Sequence, residues 1–347
     1  MRSPLVKVPS LKYVLLNQLE KALLQNYEEN AVCFTDFLQK TSNVCNAVDA
    51  SDEMLRDQYT SIDWRQLPLK KKQNIVPILY TSALLQRLTA LGFVTVNETP
   101  LAASEQFVRR LEQARAALKS KLLGEQSDSL QPPLSVEARL WLEFQIETHR
   151  PGWLAFRLTP AGVYQWLTHL SDSSPDASTG KAQMLQPRIS QDFDIERSNQ
   201  QAVELLWQAQ YTHACCCRLL RQCPQQPLPD CEDENRSFQT FQARYSERFS
   251  GQSLLHTLVS TADDLFWIPY RWPTRQYLLL LKSVAPLCQS FERFCRTDFS
   301  GFTQHSSADS LQGEAMRSRS LTLIKATQKV LKVLLEERLG EIAPEQL

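Results

Sequence analysis

Glycine is scarce in this sequence: 347 residues contain nine, and no two lie closer together than Gly152 and Gly162. That is about a third of ordinary usage. Clustered glycines let a backbone approach a phosphate closely, so their absence excludes every glycine-rich phosphate loop and disfavours nucleotide catalysis on a Rossmann-type core. Net charge is also lacking, with 38 basic side chains against 38 acidic ones. Any contact with nucleic acid must therefore come from local patches rather than a global field. Long apolar runs are missing too. The longest, YLLLLKSVAPLC from Tyr277 to Cys288, is too short to span a bilayer and carries Lys282. At the amino terminus Lys12, Asn17, Glu20 and Lys21 interrupt what could have been a signal segment. Neither a membrane span nor a secretory signal is expected. None of the nine cysteines forms a CxxC pair, and their number is odd. The expectation is reduced thiols in a cytoplasmic protein.

What is present suits a globular chain of two domains. Apolar residues make up 43% and charged residues 22%, enough for each half to bury its own core. Helical spacing runs through Leu11 to Tyr27 (Leu11, Val14, Leu15, Leu19, Ala22, Leu23), Ile75 to Leu91 and Ser104 to Leu123. Arg139 to Ile146 alternates in part, as a strand does, and Trp153 to Leu158 follows a Pro151-Gly152 turn. Thr159 can then cap a helix with Pro160 at its first position and Val163, Trp166, Leu167 and Leu170 on its apolar face. SDSSPDASTGK, from Ser171, has linker composition. Beyond it, Asn199 to Gln222, Ser253 to Phe266, Pro273 to Arg296 and Arg317 to Leu339 read as helices. The expected fold is mainly α (α+β): residues 1–170 an α+β domain with a small sheet, 171–186 a linker, and 187–347 an all-helical bundle.

The stretch YTHACCCRLLR, from Tyr211, places three cysteines beside a histidine. Consecutive helical residues point about 100° apart, so Cys215, Cys216 and Cys217 cannot converge on one ion. No metal site and no cofactor are expected, and the thiols read as small buried hydrophobes. The surrounding helix is apolar around most of its circumference, with a narrow polar strip through Gln201, Glu204, Gln208 and Cys215, which suggests the centre of the bundle.

DFDIERSNQQAVELLWQAQYTHACCCRLL, from Asp192, resembles the opening of the DALR anticodon-binding domain of class I arginyl-tRNA synthetases, where a DFD-type segment precedes a helix reading about YVQYAHARI. Gln210, Tyr211, His213 and Ala214 keep the Q-Y-x-H-A pattern, and Cys215 stands where the family has arginine. WPTRQYLLLLKSVAPLCQSFERFC, from Trp272, is similar to an intervening helix of that domain. LTLIKATQKVLKVLLEERLGEIAPEQL, from Leu321, is similar to its closing helix and tail, with Leu347 in place of methionine. HRPGWLAFRLTPAGVYQWL, from His149, resembles the end of the synthetase's N-terminal additional domain. Gln73 and Asn74 align with that domain's GDYQxN segment, whose Gly-Asp-Tyr is replaced here by lysines.

In the family a catalytic domain with HIGH-type and KMSK-type motifs lies between these parts; here there is a short linker. No two of the histidines at 149, 169, 213, 256 and 305 are within four residues of each other, and the single KxxK, Lys329 to Lys332, sits inside an amphipathic helix. The resemblance thus implies an arginyl-tRNA synthetase-like protein without its active site, which is not expected to be an enzyme.

Three sets of residues are candidates for tRNA contact. Lys325, Lys329 and Lys332 fall in one helical sector opposite Leu323, Val330, Leu331 and Leu334, and such a stripe can neutralise phosphates or simply face solvent. Trp267, Tyr270, Arg271, Trp272, Arg275 and Tyr277 interleave rings with guanidinium groups, which suits stacking of unpaired bases and suits packing between two helices equally. Gln210, Tyr211, His213 and Arg218 come from the Q-Y-x-H-A helix. The function expected is tRNA anticodon binding without catalysis. Its rivals are a scaffold that has lost RNA binding and docks a protein partner, and an accessory subunit supporting arginine-tRNA ligase activity in trans.

Overall fold

The structure is a computed structural model and describes residues 10–22, 69–72, 78–84, 86, 100–124, 135–149, 152–172, 193–222, 251–267, 276–299 and 311–346. The described residues are mostly helical, with one small four-stranded antiparallel sheet. By compactness the chain divides into two units. One comprises Met1–Leu11, Lys72–Ile78 and Leu158–Leu347, the other Lys12–Lys71 and Leu79–Arg157.

In the second of these units, helix α1 (residues 11–22) buries Val14, Leu15, Leu16, Leu19 and Ala22, the i, i+4 stripe expected of it. The sheet is built from β1 (Leu69–Lys71), β2 (Leu79–Ser82), β3 (Phe144–His149) and β4 (Trp153–Leu158) in the order β1-β2-β4-β3. β2 pairs antiparallel with both neighbours, Leu69 opposite Ser82 on one side and Leu79 opposite Arg157 on the other. β3 and β4 form a hairpin whose Gly152 takes φ 95° and donates its N–H to His149 O at 2.8 Å. That left-handed conformation favours glycine. The inner face carries Tyr80, Phe144, Leu154 and Phe156, all buried, with Tyr80 and Phe144 edge to face at 6.4 Å.

Helix α2 (Pro100–Gly124) lies against β3 and against helix α3 (Val136–Leu142). Arg115 on α2 joins them. Its guanidinium bonds Glu112 and the Leu142 carbonyl at 2.6 and 2.7 Å and lies 5.9 Å from the buried Trp141 ring.

Two expectations are corrected in this region. Ile75 to Leu91 was expected to be helical, yet Leu79–Ser82 is a strand. Tyr80 and Ser82 point inward while Leu79 and Thr81 are half-buried, a period of two. Pairing on both edges outweighs the local helical spacing. Arg139 to Ile146 was expected to be a strand, but its first part completes α3. Ser135 caps that helix, accepting from the Ala138 N–H at 3.2 Å, and extended structure begins only at Phe144.

The other unit is helical: α4 (Pro160–Asp172), α5 (Phe193–Gln222), α6 (Gln252–Trp267), α7 (Gln276–Phe294) and α8 (Leu311–Lys332). Thr159 caps α4 as expected, taking the Gly162 N–H at 3.1 Å, and Val163, Trp166, Leu167 and Leu170 are buried. α7 and α8 both pack on α5, α6 packs on α7 and α8, and α4 packs on α8. Ser10 is bound into this unit by a 2.7 Å hydrogen bond to Asp263 on α6, both side chains buried. α7 and α8 each end in a wide π-type turn, Cys295–Phe299 and Val333–Leu339. Of the expected linker, residues 173–186 lie outside the described residues.

Candidate nucleic-acid interface

Helix α5 supplies most of the surface in question. Its inner side buries Ala209, Thr212, His213, Ala214, Cys216 and Cys217. Its outer side is broader than the narrow polar strip the sequence suggested, although α7 and α8 both pack on the helix. Val203 is 66% exposed, Trp207 58% and Tyr211 46%, and Arg218 is exposed further along the same side. Since i and i+4 stand one above the other on a helix, the Trp207 and Tyr211 rings meet: their centroids are 5.2 Å apart with planes 19° from parallel. A hydrogen bond with Cys215, one turn further on, raises the Tyr211 phenol above its ordinary value.

A second stripe on α5 runs through Gln210, His213, Cys217 and Arg221 and is occupied by the chain's own C-terminal strap. Gly340, at φ 69°, closes the last helical turn, and the Glu341 N–H bonds Leu335 O at 2.7 Å. The strap then runs along α5. Gln210 Nε2 donates to Ile342 O at 3.2 Å, the His213 ring donates through Nδ1 to Pro344 O at 2.8 Å, and Arg221 donates to Glu345 O at 2.5 Å. A carbonyl only accepts, so Nδ1 carries the His213 proton. Cys217 Sγ lies 3.8 Å from that ring and accepts from Gln328 Nε2 on α8 at 3.2 Å. Burial lowers the His213 imidazole below its ordinary value, outweighing the hydrogen bond to Pro344. Gln210 and His213, candidates for RNA contact in the sequence, thus hold the strap. Helix α5 and the strap that follows α8 meet here.

The lysine stripe is not continuous. Lys325 is exposed, and Lys332 is half-exposed with Glu336 at 4.0 Å. Lys329, however, is only 7% exposed. Burial lowers its ammonium below the ordinary value, and nearby Glu337 partly counters this. The expectation of three solvent-facing lysines is corrected to two: α4 and α5 cover part of the helix surface that a free-standing helix would expose.

Tyr270, Arg271, Trp272 and Arg275 lie outside the described residues. Trp267 ends α6 and Tyr277 is the second residue of α7, but their side chains are likewise outside the description. Among the expected residues the structure therefore brings Tyr211 and Arg218 to one exposed face, and sequence reasoning missed Trp207. The signal was available: Trp207 and Tyr211 are an aromatic pair at i and i+4.

The cysteines behave as small apolar residues. Cys216, Cys217 and Cys288 are buried, all five described thiols are free, and burial pushes Cys288 up to about 11. Among the described residues, no group of three or more histidine, cysteine, aspartate or glutamate side chains could hold a metal ion. Among the same residues, no helix is long and apolar enough to cross a membrane. Compared with known protein families, with characterised proteins and with solved structures, the chain finds no match in any of the three.

Proposed function

We propose that this chain is a non-catalytic, arginyl-tRNA synthetase-like protein that binds tRNA through its helical half. The observation that carries the reading is the exposed Trp207–Tyr211 stack, with Arg218 on the same side of α5. Large rings kept in water cost free energy unless a ligand covers them, and a base stacked on an aromatic ring contributes about 1–3 kcal/mol. An anticodon loop offers such unpaired bases. The seating of the Pro344 strap on the Q-Y-x-H-A helix also supports the reading, because both ends of the resembling segment then belong to one unit. The glycine and histidine inventory leaves no nucleotide site, so no arginine-dependent exchange of pyrophosphate into ATP is expected.

A protein-docking scaffold is the second reading. It is favoured by the burial of Lys329 and by the acidic neighbour of Lys332, which thin the positive charge that a phosphate backbone requires. Fluorescence anisotropy with labelled tRNA across a salt series separates the two. Under the RNA reading, affinity falls steeply with salt, Lys325→Gln lowers the slope by about one, and Trp207→Ala with Tyr211→Ala weakens binding about tenfold or more. Absence of any preference for tRNA over unrelated RNA at low salt rejects it in favour of the scaffold.

A further inference from the structure

We propose that two copies of this chain pair across the outer side of α5, antiparallel about a two-fold axis through Tyr211, with Glu204 of each copy meeting Arg218 of the other. The inference is independent of RNA binding. It starts from a spacing: Glu204, Tyr211 and Arg218 stand seven residues apart on α5, and all three are exposed. Seven residues are close to two full turns, so the three side chains share one stripe, the carboxylate and the guanidinium each about 10 Å along the axis from the tyrosine. A seven-residue repeat stays in register with a second helix that crosses at about 20°, a common packing angle. Neither Glu204 nor Arg218 has an ion-pair partner among the described residues.

Charge decides both the occupant and its direction. A parallel copy in the same register would set Glu204 on Glu204 and Arg218 on Arg218, which repels. An antiparallel copy turned about Tyr211 joins opposite charges at both ends, the isologous pattern of a two-fold pair. The same register lays Tyr211 on Tyr211 and Trp207 against the half-buried Cys215 of the other copy. Apolar surface adds to this. Val203, Trp207 and Tyr211 are large side chains left in water, and the two rings alone offer roughly 200 Å² per copy. With 38 basic and 38 acidic side chains, no net charge holds two copies apart. Glu292 on α7 lies near Tyr211 but is ion-paired with Arg296, so it adds no net charge to the rim. The C-terminal strap occupies the neighbouring stripe of Gln210, His213 and Arg221 and leaves this one exposed. An interface centred on one helix face is at the small end of specific ones, so pairing is weak and depends on concentration. A paired copy has its ring stack covered, so pairing and base stacking exclude each other on that copy.

Sedimentation velocity of the full chain over about 1–100 µM, the range of weak interfaces, tests the pairing. The protein is treated with nuclease first, so that RNA does not bridge copies. The mean mass should rise from monomer toward dimer with concentration, and less so at high salt. Glu204→Arg and Arg218→Glu should each weaken association by about tenfold or more, since each sets like charges together at both ends. An equimolar mixture of the two variants should pair again, because one copy then carries two positive ends and the other two negative ones. Should either variant not fold, Trp207→Ala takes its place and should weaken pairing by a similar factor. A monomer at every concentration, single variants that pair as the unmodified chain does, or a mixture of folded variants that stays monomeric overturns the proposal.

Discussion

Trp166 and Trp207 lie on two helices of the same unit and should respond to truncation in opposite ways. Trp166 is fully buried in the face that α4 turns inward. Replacing it with alanine removes the whole indole and leaves a cavity its neighbours only partly fill, a loss of about 3–5 kcal/mol. Trp207 is 58% exposed, and its described ring partner is Tyr211 at 5.2 Å. An aromatic pair contributes about 0.5–1.5 kcal/mol even when well packed, so Trp207→Ala should cost less than about 1.5 kcal/mol. Urea unfolding followed by far-ultraviolet circular dichroism measures both. The expected pattern is a midpoint far lower for Trp166→Ala and almost unchanged for Trp207→Ala, with tRNA affinity reduced only in the latter. A Trp207→Ala variant destabilised as much as Trp166→Ala would show that the indole is packed in solution, and the surface argued to receive a base would not exist.

Three further outcomes are expected. Gly340→Ala should lower thermal stability by about 1 kcal/mol, because a Cβ at φ 69° is strained by the backbone alone; Gly340→Asn, which tolerates that region, should recover most of the loss. Thr159→Ala should cost α4 about 1 kcal/mol through the lost cap to Gly162, seen as a lower urea midpoint. Cys288, pushed up to about 11 by burial, holds its proton more tightly when folded. Its contribution is therefore complete below the thiol's unfolded value and declines as pH rises toward 11, so urea midpoints should drop over that alkaline window and drop less in Cys288→Ala.

Local signals in the sequence were read well where a few neighbouring residues decide the outcome. The turn at Gly152, the Thr159 cap and the apolar face of α4 all lie within a short span of chain. Cys216 and Cys217 are buried, as expected of small apolar side chains on a largely apolar helix. The misread elements depended on distant partners. β2 carries helical spacing locally and is a strand because β1 and β4 flank it. Lys329 sits in a sector that a lone helix would expose and is buried on α8, a helix against which α4, α5 and α6 pack.

For the candidate site the division is the same. From sequence came the Q-Y-x-H-A helix and the placement of Tyr211 and Arg218 upon it, since both follow from residue identity and periodicity. Only tertiary structure decided that Trp207 faces solvent, that Lys329 does not, and that Gln210 and His213 are taken by carbonyls more than 130 residues away. Periodicity says which side chains share a side of a helix; which side meets water depends on what the rest of the chain lays against it.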